Sequence, residues 1–430
     1  MDAERLIRHF IIDSLMIDRI DTPMPFQRRL HTGDVLFTPY FNRWNANAYC
    51  RTEPFAENPW LVDASSTSGA PVVCWESGFI GLLDERDAWF LWDGDELIVH
   101  AAAEEALWVG PDSSPATWAA YLEALGYRAP CAPYGRRPEY CTWVEQLWET
   151  HGHTDIAAVS TDLVIRFLDY VATQGWPAGR FTIDEGWCAR GGAGGFGDWT
   201  PRVGLDMEDL AGRIKAAGHV PGLWLSPHLI AADSEVARQN PGLLGPAVAM
   251  QGECDWNRYH YLADTDAGED LMAERFRRAW DWGFRKVKLD IVYGPRREML
   301  ALMRRVRRAL ASLPGHMELE CHVPDPFFAQ YCEVVRLNDV MIGPSFPGWR
   351  SVAQGHFEVC RQSAPAHLLN LDHLGGNLWD VGEADFLEHV ALQAMQLPWG
   401  YPVVSLLPWH VGPQAEEAVR ELLGAGAAGT

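Results

Sequence analysis

A chain of 430 residues with 48% hydrophobic and 22% charged residues has the composition of an ordinary globular protein, long enough for one large barrel and a smaller domain. Its formal net charge of -23, from 35 basic and 58 acidic residues, argues against a nucleic-acid partner or an anionic membrane surface. The acidity is spread along the chain and reads as solubility.

Nine Cys are scattered, odd in number and without paired CxxC spacing, so buried thiols in a reducing compartment explain them better than disulfides or a metal site. No metal or cofactor is expected. The start, Met1-Asp-Ala-Glu-Arg-Leu-Ile-Arg8, lacks the shape of a signal peptide, and the apolar stretch Phe10 to Ile17 is broken by Asp13 and too short to span a bilayer. A cytoplasmic protein is the expectation. The 20 Trp stand out: most Trp fill core, but exposed indole faces also suit the apolar faces of pyranose rings.

Taken in chain order, short apolar runs come first, parted by Gly, Pro, Asn and Asp: Asp34 to Thr38, Val72 to Trp75, Ala88 to Trp92 and Glu96 to His100. They predict antiparallel β structure, a small β-rich domain over residues 1–127. A Pro/Ser hinge, Pro111 to Pro115, precedes a helix over Trp118 to Leu125, and Ala129-Pro-Cys-Ala-Pro133 reads as a linker. From residue 134 to 430 strand and helix patterns alternate. The predicted strands are Cys141 to Glu145, Arg180 to Asp184, Pro221 to Ser226, Lys286 to Asp290, Met317 to Cys321, Val334 to Asn338, Leu368 to Asp372 and Val403 to Leu407. Helical patterns fill most gaps, as at Leu163 to Gln174, Met207 to Ala217, Ala267 to Trp282 and Arg296 to Ser312; a weaker one covers Ser351 to Arg361. Eight strands with crossover helices predict a (β/α)8 TIM barrel.

Charged groups gather where these strands end. Strand two delivers Asp184, Glu185 and Trp187; strand three Trp224; strand four Lys288 and Asp290; strand five His322 and Asp325; strand six Arg336 and Asp339. Side chains at i and i+2 share a strand face, so Lys288 and Asp290 point the same way. A cation beside a carboxylate keeps it ionised, as a nucleophile requires. The bland alternative is a pair of barrel-end ion pairs, Lys288 with Asp290 and Arg336 with Asp339. Two carboxylates across a pocket suit glycoside cleavage, roughly 5–5.5 Å apart for retention and about 6.5–9.5 Å apart for inversion. On this reading Asp290 and Asp339 are catalytic, and Asp184 and Glu185, with Lys288, hydrogen-bond the sugar hydroxyls.

The ordered set Phe181-Thr-Ile-Asp-Glu-Gly-Trp187, Gly197-Asp-Trp199, Leu210 to Gly218 and Gly222-Leu-Trp-Leu225 resembles the α-galactosidase clan of glycoside hydrolases, families 27 and 36. The likeness spans roughly residues 138 to 410. It implies a retaining α-glycosidase on a melibiase-type barrel, acting on a carbohydrate. The clan's Lys-x-Asp nucleophile pattern matches Lys288 and Asp290, and its acid/base Asp, following a substrate-binding Arg, matches Asp339 and Arg336. Leu369-Asn-Leu-Asp372, with Glu383 opening a helix, resembles the seventh barrel unit. Glu185 stands where the clan has a second Asp. Cys321-His-Val-Pro-Asp325 replaces a Cys-Glu-Trp-Pro-Leu pattern whose Glu and Leu positions contact the substituent at carbon 2, and Arg336 and Asp339 lie three apart where many members show four. Galactose is the default sugar, with an α-N-acetylgalactosaminide, a β-L-arabinopyranoside or a differently substituted sugar also open.

Other motifs weigh less. Gly192-Ala-Gly-Gly-Phe-Gly197 fits GxGxxG, but Asp198-Trp-Thr-Pro201 follows it where a dinucleotide site needs a helix. His151-Gly-His153 matches the HxH of metal-dependent barrel hydrolases, which need further ligands such as His322 or His373; otherwise these are loop residues preceding the first helix. Alternatives kept beside the glycosidase are a transglycosidase of the raffinose-synthase type and a non-catalytic sugar-binding barrel. A homo-oligomer is left open.

Overall fold

Eight short parallel strands close into a barrel in chain order: Glu139–Cys141, Arg180–Ile183, Val220–Trp224, Lys286–Lys288, Glu318–Cys321, Val334–Arg336, Leu368–His373 and Gly400–Val404. The computed structural model describes residues 101–153, 157–248, 258–292, 296–322, 326–337, 339–344, 346–376 and 381–428, with the short segments 17–18, 26–31, 36–37, 51–52, 67–68, 72–75, 77–84, 89–93 and 96–100. The architecture is a (β/α)8 barrel with small antiparallel sheets ahead of it. Among the described residues no helix is long and apolar enough to cross a membrane.

Several helices form where the sequence supplies both a cap and an apolar stripe. Ser160 accepts from the Leu163 amide to open Thr161–Thr173, and Leu163, Val164, Phe167 and Val171 are buried along one face of it. Asp206 and Thr265 cap Met207–Ala216 and Asp266–Asp281 in the same way. Two strand predictions shift. The first strand is Glu139–Cys141, and Trp143–Glu149 is helical, because Trp143, Val144, Leu147 and Trp148 repeat with a helical rather than a two-residue period. The histidines of His151-Gly-His153 therefore follow a helix rather than precede the first one. The eighth strand is Gly400–Val404; Leu407 opens a short helix with Pro408 in its first turn.

Before the barrel, a five-stranded and a three-stranded antiparallel sheet are present, and the helix Pro115–Ala124 packs on the first of them. The expected Pro/Ser hinge is a helix cap. Ser114 accepts from the Thr117 amide at 3.3 Å with Pro115 in the first turn, while Trp118 and Tyr121 close on Phe79 at 5.0 and 5.1 Å.

The barrel interior is charged, and the sequence explains how. Along Lys286-Val-Lys-Leu-Asp290 the polar residues face inward, whereas Val287 and Leu289 join the apolar shell around the barrel. Strands two and five follow the same alternation, through Arg180, Thr182 and Asp184 and through Glu318, Glu320 and His322. At the strands' beginning Arg180 pairs with Glu318 at 2.5 and 2.9 Å. One layer higher Lys286 pairs with Glu139 and, at 2.7 Å, with Glu320. Asn370 donates to both carboxylates, at 3.2 and 2.9 Å. Gly222 opens the path for Lys286 to cross two strands: a Cβ there would lie 2.5 Å from Thr182 Oγ1. The third layer, at the strands' C-terminal ends, is the mouth.

Candidate active site

Asp184 sits one residue past the second strand and is almost fully buried. Its Oδ2 accepts from Lys288 Nζ at 2.7 Å and from the Cys141 thiol at 2.9 Å, and its Oδ1 accepts from the Glu185 amide at 2.8 Å. Lys288 therefore turns to Asp184 for its direct ion pair rather than to Asp290. Burial disfavours its ammonium, but Asp184, Cys141 and Asp290 together hold Lys288 above the ordinary lysine range.

Asp290 keeps 23% of its side chain exposed. Trp224 Nε1 donates to its Oδ2 at 3.2 Å and the Ile291 amide to its Oδ1 at 2.8 Å. Burial works against the carboxylate, yet His322, Arg336, Lys288 and the Ile291 amide hold it well below the usual range. Burial also pushes the His322 ring, 3.5 Å from Asp290 Oδ1, down to about 4. The ring is thus neutral at neutral pH, where Arg336 and Lys288 supply the charge that keeps Asp290 ionised.

Arg336 is buried among carboxylates. Its Nη1 donates to Asp339 and lies 3.4 Å from Asp372 Oδ1, while its Nε is 3.9 Å from Glu320. Burial opposes its charge, but Asp339, Asp290 and Asp372 hold the guanidinium far above its ordinary range. Asp339 keeps 25% of its side chain exposed, so the two partly open carboxylates of the mouth, Asp290 and Asp339, belong to one charge cluster.

Glu185 is held by Arg190 Nε at 2.5 Å; burial raises its carboxyl and Arg190 works the other way. Trp187 is not brought into the mouth. Its indole is 1% exposed, donates to the Trp224 carbonyl at 2.8 Å and packs against Trp199 and Trp282, so it supports the site from beneath. Asp325 lies outside the described residues.

Asp372 was not singled out from the sequence. It lies one residue before the end of the seventh strand, in the left-handed region at φ +64, where Asp is tolerated better than most residues. Burial, then the charge of Asp339, raise its carboxyl from the usual 3.8 to about 7, against the pull of Arg336 and Lys288. Between those two values the folded protein holds a proton that the unfolded chain releases, so this group's stability is present at low pH and lost as pH rises through about 7. Asp372→Asn is expected to flatten the decline in unfolding free energy across that window. Denaturant titrations at several pH values, wild type beside variant, check this; parallel curves would overturn it.

Among the described residues neither discounted motif finds a context for binding. Turns follow Gly192–Gly197, and the next helix starts at Met207. Among the described residues no group of three or more His, Cys, Asp or Glu is arranged to hold a metal ion. At the opposite end of the barrel a cavity of about 400 Å³ is lined mostly by apolar residues such as Pro138, Pro177, Leu397 and Leu422, with no carboxylate in its walls.

No protein-family model matches the sequence, and no curated protein sequence matches it. Among solved structures, the chain is similar to the α-galactosidase from Thermus thermophilus in complex with p-nitrophenyl α-D-galactopyranoside, with a TM-score of 0.68 and 21% identity over 94% of this chain and 91% of that one. It is also similar to the GH36 α-galactosidase AgaB from Geobacillus stearothermophilus, with a TM-score of 0.61 and 13% identity over 94% of this chain and 62% of that one. With the α-galactosidase from Lactobacillus brevis the TM-score is 0.57 and the identity 10%, over 94% of this chain and 60% of that one. The fold is therefore one found in GH36 α-galactosidases. At these identities the likeness is one of fold, and the chemistry rests on the residues above.

Proposed function

We propose that this protein is a retaining α-glycosidase, α-galactosidase-like, with the barrel of residues 134–430 as its catalytic domain and residues 1–127 as an accessory β-rich domain. The observation that carries the proposal is the Asp290 carboxylate, ionised by Arg336 and Lys288, oriented by one donor on each oxygen and still open to the mouth. In the first step Asp290 Oδ attacks the anomeric carbon while the glycosidic oxygen leaves with a proton from Asp339. In the second, a water gives its proton to Asp339 and its oxygen to the anomeric carbon, releasing Asp290. Asp184, Glu185, Lys288, His322, Asp325 and Arg336 supply the polar groups that hold a sugar, and Trp224 completes its surroundings, with Trp187 supporting it from beneath. Galactose is the sugar the solved relatives favour, since one of them holds a nitrophenyl galactoside.

The test is turnover of a panel of nitrophenyl α- and β-glycosides, with the first-formed anomer read by NMR. Release from an α-glycoside with the α-anomer formed first is the expected result. Release only from β-glycosides, or an inverted first product, would overturn the mechanism. Added acceptor sugars distinguish hydrolysis, which yields free monosaccharide, from glycosyl transfer.

A further inference from the structure

The strand that carries Asp290 ends at Lys288, so the backbone ladder no longer fixes the nucleophile. Side chains from the segment after strand three take over. Ser226 Oγ donates to the Asp290 carbonyl at 2.8 Å and accepts from the Asp290 amide at 3.3 Å. Two residues on, His228 Nε2 donates to the Ile291 carbonyl at 3.0 Å. Both residues are fully buried, and burial pushes the His228 ring down to about 4, which keeps it neutral at neutral pH. Ser226 thus pins the peptide plane before residue 291 and His228 the plane after it.

Between these anchors Ile291 sits at φ +58. For a β-branched residue that is a true backbone outlier, and it persists only where the surroundings impose it. Its consequence is local: in this conformation the Ile291 amide points back at Asp290 Oδ1, 2.8 Å away. Relaxing residue 291 by turning the preceding peptide would carry that amide away from the carboxylate, and the Ser226 bond to the Asp290 carbonyl resists that turn.

We propose that Ser226 is a positioning residue for Asp290: with His228 as the opposing anchor, it holds Ile291 in the left-handed conformation whose amide orients and stabilises the nucleophilic carboxylate. This rests on the glycosidase reading for its kinetic consequence. The other groups that bear on Asp290, among them Trp224, His322, Arg336, Lys288 and Glu185, are untouched by the variants below.

In Ser226→Ala the strain at Ile291 is free to turn the peptide. The expected result is a kcat roughly tenfold lower or more, with KM nearly unchanged and the acid limb moved to higher pH as the carboxylate loses a donor. Glycine adopts φ near +58 without penalty, so Ser226→Ala/Ile291→Gly is expected to recover most of kcat and return the acid limb. A Ser226→Ala enzyme with unchanged kcat and acid limb, or a loss that Ile291→Gly does not repair, overturns the proposal. Titration of Asp290 by carbon-13 NMR in the folded variants reads the same clamp without turnover. Should the wild type cleave no glycoside, the catalytic reading fails while an upward shift in Ser226→Ala, reversed in the double variant, still supports the clamp; no shift refutes it.

Discussion

Asp290→Asn is expected to lower turnover by about 10⁴-fold or more, the scale of loss when one member of a catalytic unit is removed. The amide is nearly isosteric with the carboxylate but carries no charge to attack the anomeric carbon. Folding should survive: Lys288 keeps Asp184 at 2.7 Å, and Arg336 keeps Asp339 and Asp372. Circular dichroism of the variant verifies that. Added azide separates the two carboxylates' roles. In Asp290→Asn, azide attacks an activated α-glycoside directly and inverts it, giving the β-glycosyl azide. In Asp339→Ala, Asp290 still forms the glycosyl enzyme, and azide then displaces it to give the α-azide. An active Asp290→Asn enzyme, or the two anomers reversed, would end the assignment.

Why the mouth could be read from sequence at all is visible in Lys286-Val-Lys-Leu-Asp290. Polar and apolar residues alternate there, as on a half-exposed strand, yet Lys286 and Lys288 are buried. The polar residues point into the barrel, and their chemistry survives as a pattern because a two-residue period fixes a face regardless of the partner. The same logic reaches Asp184, His322 and Arg336. It stops at pairings. Nothing local says that Lys288 turns to Asp184, 104 positions away, or that Asp372 lies behind Asp339 across one guanidinium. Asp372 carried the same strand-end signal as its neighbours; what marks it is a left-handed backbone and burial, both products of closure. Trp187 shows the reverse error: a Trp beside a catalytic strand end suggests a sugar platform, but a bulky indole also fills the space behind the rim, and packing with Trp199 and Trp282 decides its place. Ser226 is an ordinary residue in any one-dimensional reading, and its meaning comes from the strand that ends early beside it.

The charged floor of the barrel carries the largest expected effect on stability. Arg180 and Glu318 are both fully buried, joined by two hydrogen bonds at 2.5 and 2.9 Å, and the guanidinium lies 4.2 Å from the Tyr401 ring. Arg180 also donates to the carbonyls of Arg137 and Gly135, at 2.7 and 3.0 Å, tying the segment ahead of the first strand to the barrel. Arg180→Met preserves most of the volume but leaves a buried carboxylate and two carbonyls without this partner. The expected loss is about 3–5 kcal/mol of unfolding free energy, since a stranded charge costs far more than the intact pair gains. Arg180→Met/Glu318→Leu removes both charges and is expected to recover most of that loss, because apolar replacement of a whole buried pair is often neutral or stabilising. Urea midpoints at constant slope give both numbers. The mouth should be unaffected, as Arg180 begins the strand that Asp184 follows, and folded Arg180→Met should keep its kcat. A single variant within about 1 kcal/mol of wild type would mean that water reaches the floor and compensates Glu318 there. A double variant as unstable as the single would instead place the cost in the lost ties to Arg137 and Gly135. Only this second result would locate the stability of this barrel in its end closure and not in the charge pair that fills it, because the single variant breaks both.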